Sequence, residues 1–254
     1  MQSTIKFIRK CAQVLFVLTL ACAFANVARP QGKDAKKLAA KSEESKKAAD
    51  VFTEIMNVPD KAIPQGLLDK AEAIAVFPGM VKGGFIIGAR GGHGVISRRT
   101  AGGWSGPAFF NLGGASFGLL IGAAKTDLVL LFMNTGAVES LMKDKFEIGG
   151  EASVAAGPVG RASAASTDAQ LKAQILSYSR SKGVFAGVNL SGGSLRVDKD
   201  SNADAYGANV ALDTVINGGG TRLTGASAFL NTLGTGARAT TGTTAPSTTD
   251  APKY

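Results

Sequence analysis

The sequence has few of the side chains that metal centres and nucleophilic enzymes use. It contains one histidine, His93, and two cysteines, Cys11 and Cys22, among its 254 residues. Both cysteines lie near the N-terminus, so the rest of the chain has no thiol for a disulfide or for catalysis. A Cys/His zinc site and a Cys–His nucleophile pair are therefore excluded.

Signals for nucleotide and nucleic-acid binding are also scarce. The chain has one Trp and three Tyr, and no basic stretch is interleaved with aromatic residues. No glycine-rich phosphate loop stands between a predicted strand and a helix. Residues Gly114 to Gly118 match a Gly-x-Ser-x-Gly nucleophile motif, but the only histidine precedes Ser116 instead of following it. We therefore predict a protein with no enzymatic activity, cofactor, metal or nucleic-acid partner.

The N-terminus has the pattern of a secretory signal peptide. Three cations, Lys6, Arg9 and Lys10, precede the apolar run Ala12–Ala23, and small residues follow. We predict a signal peptide over residues 1–28 and export to the periplasm or the extracellular space. An uncleaved anchor is one alternative. Lipidation of Cys22 is another, although Leu20 replaces the small residue that a lipobox usually has.

The remaining chain divides into a core region and a polar tail. Residues 234–254 are mostly Thr, Ala, Gly and Ser, which cannot bury enough apolar surface to order themselves, and we predict a disordered tail. About 200 residues remain, enough for one sizeable core. Removing the leader lowers the net charge from +9 to +6, which suits anionic partners.

Residues 33–72 are predicted to form an N-terminal helical segment. From Lys33 to Asn57 the chain is rich in Ala, Lys and Glu, without Pro or Gly, and Pro59 ends the helix. A second short helix is predicted from Pro64 to Lys70. The second half of the first helix carries an apolar stripe at helical spacing, formed by Ala48, Val51, Phe52, Ile55 and Met56.

Residues 73–220 are predicted to form a β-rich core built from short segments between glycines. The fold class is therefore α+β, with N-terminal helices followed by a Gly-rich, mainly antiparallel β-sheet domain with short helices. The first predicted strands and turns are Ala73–Phe77 closed by Pro78-Gly79, Gly84–Arg90, a turn at Gly91–Gly94, Val95–Arg99, Ala115–Gly122, a turn at Lys125–Asp127, and Asp127–Met133. The later elements are a helix at Ala137–Lys143, hairpins at Glu151–Ala156/Val159–Ala165 and Gln174–Ser179/Val184–Leu190, a strand at Ser194–Asp198 and a helix at Asn202–Ala211.

Several blocks of this region carry a family resemblance. The segment AIAVFPGMVKGGFIIGARGGHGVISRR (73–99), followed by GGWSGPAF (102–109), resembles the opening of the SYLF domain. The resemblance continues in order through residues 113–134, 152–168, 178–193 and 204–207. It covers about Lys36 to Gly220.

The resemblance implies a single α+β domain that binds phosphoinositides or other anionic lipids and has no catalytic residue. In eukaryotic members a helical N-terminal segment is thought to engage the membrane, and Lys33–Met56 is the similar segment here. Actin-related roles belong to eukaryotic members with other domains. Since we predict an exported protein, we do not expect that activity in this chain.

Basic side chains are the candidate lipid contacts. Each is worth about 1 kcal/mol near an anionic surface, so several together give weak, salt-sensitive binding. The candidates are Lys33, Lys36, Lys37, Lys41, Lys46 and Lys47 on the helix, and Arg98 and Arg99 as a second cluster. In the alternative interpretation the apolar stripe packs on the domain while these cations simply face water. The matching alternative function is a periplasmic or surface structural or protein-interaction module without lipid specificity.

Overall fold

The computed structural model describes most of the chain in several stretches. These are residues 31–58, 62–85, 87–117, 122–143, 145–160, 172–181, 183–219 and 223–236. Residues 1–38 and 39–254 are separate compact units, and the fold described below belongs to the second. The predicted signal peptide, both cysteines and residues 237–254 of the predicted tail lie outside the described residues.

Six helices and one 3₁₀ turn occur in the described residues. They are α1 (Gln31–Met56), α2 (Gln65–Lys70), α3 (Thr135–Ser140), α4 (Lys199–Tyr206), α5 (Leu212–Ile216), the 3₁₀ turn Thr224–Ala226, and α6 (Ser227–Gly236). The two N-terminal helices lie where composition and proline placed them. The described helices include none with both the length and the apolar character that crossing a bilayer would require.

Ten strands form one sheet. They are β1 (Ala73–Phe85), β2 (Ile87–Thr100), β3 (Gly103–Trp104), β4 (Ala108–Phe117), β5 (Gly122–Phe132), β6 (Lys145–Ile148), β7 (Val154–Ala156), β8 (Ile175–Ser181), β9 (Val184–Gly187) and β10 (Gly193–Val197). Their order is β6-β10-β4-β2-β1-β5-β8-β7, with β3 on β2 and β9 on β8. Of the strand pairs, β7–β8 is parallel and the others are antiparallel. The predicted α+β class is confirmed.

The first strand is longer than predicted. Pro78-Gly79 does not close it: β1 continues to Phe85, with a bulge that inserts one extra residue between Val76 and Val81. Gly79 has a φ of +60°, and its amide donates to Asp127 Oδ1 at 2.8 Å. The proline and glycine therefore mark a bulge inside a strand, which a sequence pattern does not distinguish from a turn.

The predicted turn at Gly91–Gly94 is also wrong, because these residues lie inside the continuous strand β2. A Cβ at Gly94 would lie 2.4 Å from the Phe77 ring and from Val76 O. The glycine is thus needed for close packing between neighbouring strands. The predicted turn at Lys125–Asp127 likewise lies within β5.

The C-terminal half shows one correction and several agreements. Strand β7 pairs in parallel with β8, a partner that the sequence pattern did not indicate, and most of Val159–Ala165, the predicted hairpin partner of Glu151–Ala156, lies outside the described residues. The predicted hairpin across Gly183 is confirmed as β8–β9, and β10 is confirmed as a strand. Helix α4 begins at Lys199, three residues before the predicted start at Asn202.

Buried side chains cover both faces of the sheet. On one face, Phe52 and Ile55 of α1 and Phe229 of α6 pack with Val76 and Tyr178. The other face is covered by a second cluster that includes Phe77, Phe110, Phe146, Ile148 and Ile216. The second half of α1 is therefore part of the domain core, and Phe52 is only 1% exposed.

Candidate functional site

An open groove of about 750 Å³ lies between α1 and the sheet. It is lined by Ala40, Lys41, Glu44 and Lys47 of α1, Pro78, Gly79 and Val81 of β1, Gly91, Gly92 and His93 of β2, and Asp198 and Ser201 at the start of α4. A Cβ at Gly91 would meet only Leu112 O, at 3.8 Å, so this groove position is not closely packed. Two of the predicted lipid contacts, Lys41 and Lys47, reach this groove.

Lys41 is held by contacts within the domain. Its Nζ donates to Glu44 Oε2 at 2.9 Å and to Ser201 Oγ at 2.8 Å, and lies 5.4 Å from the centroid of the Phe109 ring. Its side chain is only 17% exposed. The helical spacing from Lys41 through Ser45 to Ala48 places it on the buried face of α1. These contacts give Lys41 a structural role as a link between α1 and α4.

Asp198 connects the groove to the start of α4. Its Oδ1 accepts a hydrogen bond from the Ser201 amide at 3.0 Å, which caps the helix N-terminus. His93 Nδ1 lies 3.6 Å from Asp198 Oδ2. Partial burial raises the pKa of Asp198, but the hydrogen bonds from Ser201 and the nearby charges of Lys41 and His93 outweigh it. The pKa therefore lies below its ordinary value of 3.8.

The Asp198 cap predicts that the free energy of unfolding falls at acidic pH. Because the folded pKa of Asp198 is depressed, its stabilising effect is complete above about pH 4 and is lost as the pH falls through the folded pKa. Asp198→Asn keeps a capping side chain, so its stability at pH 7 should stay close to that of the wild type, whereas Asp198→Ala should lose about 1 kcal/mol. Urea unfolding at pH 7, 5 and 3 measures this. Equal loss of stability between pH 5 and 3 in the wild type and Asp198→Asn would contradict the assignment.

The other lysines of α1 occupy different environments. Lys46 pairs with Asp50 at 3.0 Å on the exposed surface. Lys47 is exposed at the groove and has no partner among the described residues. Lys36 and Lys37 are exposed in the first turns of α1, and the side chain of Lys33 lies outside the described part.

The two arginines lie at the other end of β2 and are partly buried. Arg99 donates to the carbonyl oxygens of Leu68 at 2.8 Å and Ala71 at 3.1 Å, and its guanidinium lies 4.5 Å from the Trp104 ring centroid. Arg98 donates to Asn217 Oδ1. The arginines therefore connect β2 to the segments around α2 and α5, and the structure does not bring them together with the α1 lysines of the groove.

Sequence reasoning missed Glu44, His93, Asp198 and Ser201 as groove residues. The groove brings together α1, β2 and the start of α4, which are distant in the chain, as the Lys41–Ser201 and His93–Asp198 contacts show. No local spacing pattern could find it, although Asp198 does precede a helical segment as N-cap residues do. The groove holds two lysines and two carboxylates, so it does not concentrate positive charge. Within the described stretches, no three His, Cys, Asp or Glu side chains gather in a way that could hold a metal ion.

Comparison with known proteins gives a consistent set of relatives. The family model Ysc84, described as "Las17-binding protein actin regulator", matches residues 113–235. SH3 domain-containing YSC84-like protein 1 is 36% identical over 171 residues in Xenopus laevis, covering 65% of this chain and 51% of that protein. The Homo sapiens protein of the same name is 38% identical over 170 residues, covering 64% of this chain and 49% of that protein. LAS seventeen-binding protein 3 of Saccharomyces cerevisiae (strain ATCC 204508 / S288c) is 34% identical over 184 residues, covering 69% of this chain and 40% of that protein. The chain thus spans about half the length of the relatives it matches.

Proposed function

We propose, on the premise that this chain belongs to the SYLF (Ysc84) domain family, that it is an exported, non-catalytic protein that binds anionic membrane lipids. One observation carries the proposal: every described side chain from Asp34 to Ala40, in the first turns of α1, is exposed. Two of these side chains are Lys36 and Lys37. A basic helical segment with its side chains in solvent can contact a negatively charged surface without unfolding anything.

The sequence of α1 divides the helix into two parts with different environments. Its second part is held in the core by Phe52 and Ile55. Its first part places Lys33, Lys36 and Lys37 at i, i+3 and i+4, so the three residues share one face. Each such cation contributes about 1 kcal/mol near anionic lipid, which gives weak binding that salt suppresses. Export to the periplasm or extracellular space is part of the proposal and is supported by the leader pattern in residues 1–28.

The lysine face is tested by vesicle co-sedimentation. The purified chain is compared on phosphatidylcholine vesicles and on vesicles containing phosphatidylglycerol, cardiolipin or a phosphoinositide, at low and high salt. We expect binding to the anionic vesicles alone, weakened roughly tenfold or more by Lys36→Gln/Lys37→Gln, because two cations are removed. Every variant has the same N-terminus, so differences between variants report on the substituted residues.

The matched control is Lys70→Gln/Lys172→Gln, which removes the same charge at exposed positions outside α1. It should retain nearly all of the binding. An equal loss in this control would show that net charge, and not the α1 face, determines binding. Failure of the wild-type chain to bind any vesicle would overturn the lipid proposal.

A second candidate function is protein binding, which is favoured by the description of the matched family as "Las17-binding protein actin regulator". For this chain the partner would be a protein of the periplasm or cell surface, and the domain would show no preference among lipids. This second function predicts equally low sedimentation with all vesicles. It also predicts a saturable cross-link to a protein on cells.

A further inference from the structure

A second cavity, of about 280 Å³, lies on the side of α4 that faces away from the groove. Its lining residues are Met142 after α3, Val197 of β10, Lys199, Asn202 and Ala203 of α4, Gly207, Ala208 and Val210 after α4, and Leu212 at the start of α5. Lys199 and Ala203 are four residues apart and share one face of α4, whereas Ser201 points to the groove from the opposite face. We call this second cavity the α4 pocket.

Most of the wall of the α4 pocket is apolar. Val197, Val210 and Leu212 are partly buried and pack against the core cluster on the face of the sheet opposite α1. Met142 is 36% exposed. Gly207 ends α4 with a φ of +96°, and its carbonyl oxygen accepts from the Val210 amide at 3.2 Å, so the chain turns there. The domain therefore leaves part of this apolar surface uncovered.

The polar side chains of the lining are one amide and one lysine. The Asn202 amide is already used within the domain: its Nδ2 donates to Phe109 O and Asp198 O, both at 2.8 Å, and its Oδ1 accepts from the Phe109 amide at 3.0 Å. Lys199 is exposed and is the one charged side chain among the described lining residues. Apolar walls with one cation at the rim complement a molecule that has an apolar chain and a negative charge.

The volume of the α4 pocket limits such a ligand to one chain. Small-molecule pockets usually measure about 300–1,000 Å³, so a cavity of about 280 Å³ holds part of a single chain. A two-chain lipid would have to withdraw from its bilayer, and the pocket would cover only part of the apolar surface exposed in that step. A single-chain amphiphile that is already in water does not have this cost.

We propose that the α4 pocket binds a free single-chain anionic amphiphile, such as a fatty acid. The chain lies against Val197, Val210 and Leu212, and the carboxylate lies beside Lys199. This site is separate from the lysine face of α1, and its ligand is taken from solution. Binding at the pocket therefore does not require that the protein bind vesicles.

A series of ligands tests the apolar and the charged part of the pocket. The full chain is titrated by calorimetry with saturated fatty acids of increasing length, each below its critical micelle concentration. We expect the affinity to rise about fourfold with each added methylene, which is the effect of burying one CH₂ group, and to level off when the pocket is full. The primary alcohols of the same lengths should bind more weakly, because they lack the charge that Lys199 meets.

Two substitutions, each with a matched control, locate the binding. Ala203→Phe should weaken fatty-acid binding about tenfold or more, because the ring takes the space of several methylenes. Ala186→Phe adds the same ring at an exposed position of β9 and should bind like the wild type. Lys199→Gln should weaken binding of the fatty acid but not of the alcohol, whereas Lys172→Gln, at another exposed position, should change neither.

Several results would overturn the inference. These are no binding of any fatty acid by the wild type, an affinity that does not depend on chain length, and equal binding by folded Ala203→Phe. Binding seen only with vesicles would assign the pocket to a membrane lipid, and self-association lost in Ala203→Phe would assign it to a second copy of the chain. Thermal unfolding checks that Ala203→Phe is folded, and the chain-length series with the wild type and Lys199→Gln decides the matter if it is not. Because the fatty acids are free in solution, these results are independent of the vesicle experiment on α1.

Discussion

Gly187→Ala is expected to destabilise the domain by about 3 kcal/mol or to prevent folding, since overpacking against a fixed backbone leaves no room to relax. A Cβ at Gly187 would lie 2.1 Å from Gly157 O and 2.8 Å from Gly157 N. Gly157 is itself fixed, because its own Cβ would lie 2.0 Å from Cζ of the buried Tyr178 ring. That ring stacks on Phe185 with a centroid separation of 5.6 Å.

Gly66→Ala is the matched control for this substitution. Gly66 lies in α2, and a Cβ there would meet nothing within 4 Å. Alanine should therefore leave stability unchanged or raise it by up to about 1 kcal/mol through its helix propensity. Chemical denaturation of both variants measures the difference. If Gly187→Ala unfolds at the same denaturant concentration as Gly66→Ala, the close approach of the two glycines does not exist in solution.

Asp127→Ala is expected to cost about 2–3 kcal/mol, because it leaves a half-buried guanidinium and a bulge amide without their acceptor. Arg180 Nε and Nη2 donate to Asp127 Oδ2 at 3.0 and 2.7 Å. Asp127 Oδ1 accepts from the Gly79 amide at 2.8 Å. One carboxylate thus joins β5 to β8 and fixes the bulge in β1.

Glu54→Ala provides the comparison within the same network. Glu54 also pairs with Arg180, but its side chain is 58% exposed, against 18% for Asp127. An exposed ion pair is worth about 0–1 kcal/mol, so Glu54→Ala should be mild. Equal free energies of unfolding for the two variants would show that Asp127 has no special role. A double-mutant cycle with Arg180→Ala then measures the coupling directly.

The N-terminal helix and the fold class could be predicted because local composition decides them. Ala, Lys and Glu without Gly or Pro favour one long helix, and its apolar stripe at Phe52 and Ile55 does pack on the sheet. Glycines were harder to interpret. Gly94 permits close strand packing, and Gly79 forms a bulge, yet both resemble turn residues in a sequence. A turn, a bulge and a close-packing position can be told apart only when the residues of the neighbouring strand are known.

The candidate site was predictable only where it depended on one element. The exposed lysines at the start of α1 follow from the helical pattern, so Lys36 and Lys37 could be proposed from the sequence. The engagement of Lys41 by Ser201 depends on a contact 160 residues away along the chain. The placement of Arg99 against Trp104 likewise depends on β3 folding back on β2.

The bulge in β1 reverses the parity of the strand. Up to Phe77, odd-numbered residues of β1 face the cluster opposite α1, but beyond the extra residue Met80 takes that side instead. Val81 is thereby directed to the groove side and Lys82 to the opposite side. Deletion of Gly79 would exchange the faces that Val81 and Lys82 occupy, since a shift by one residue moves each side chain to the other face of the sheet. The number of residues in the bulge, and not only their composition, therefore determines which side of the sheet carries the Lys82 charge.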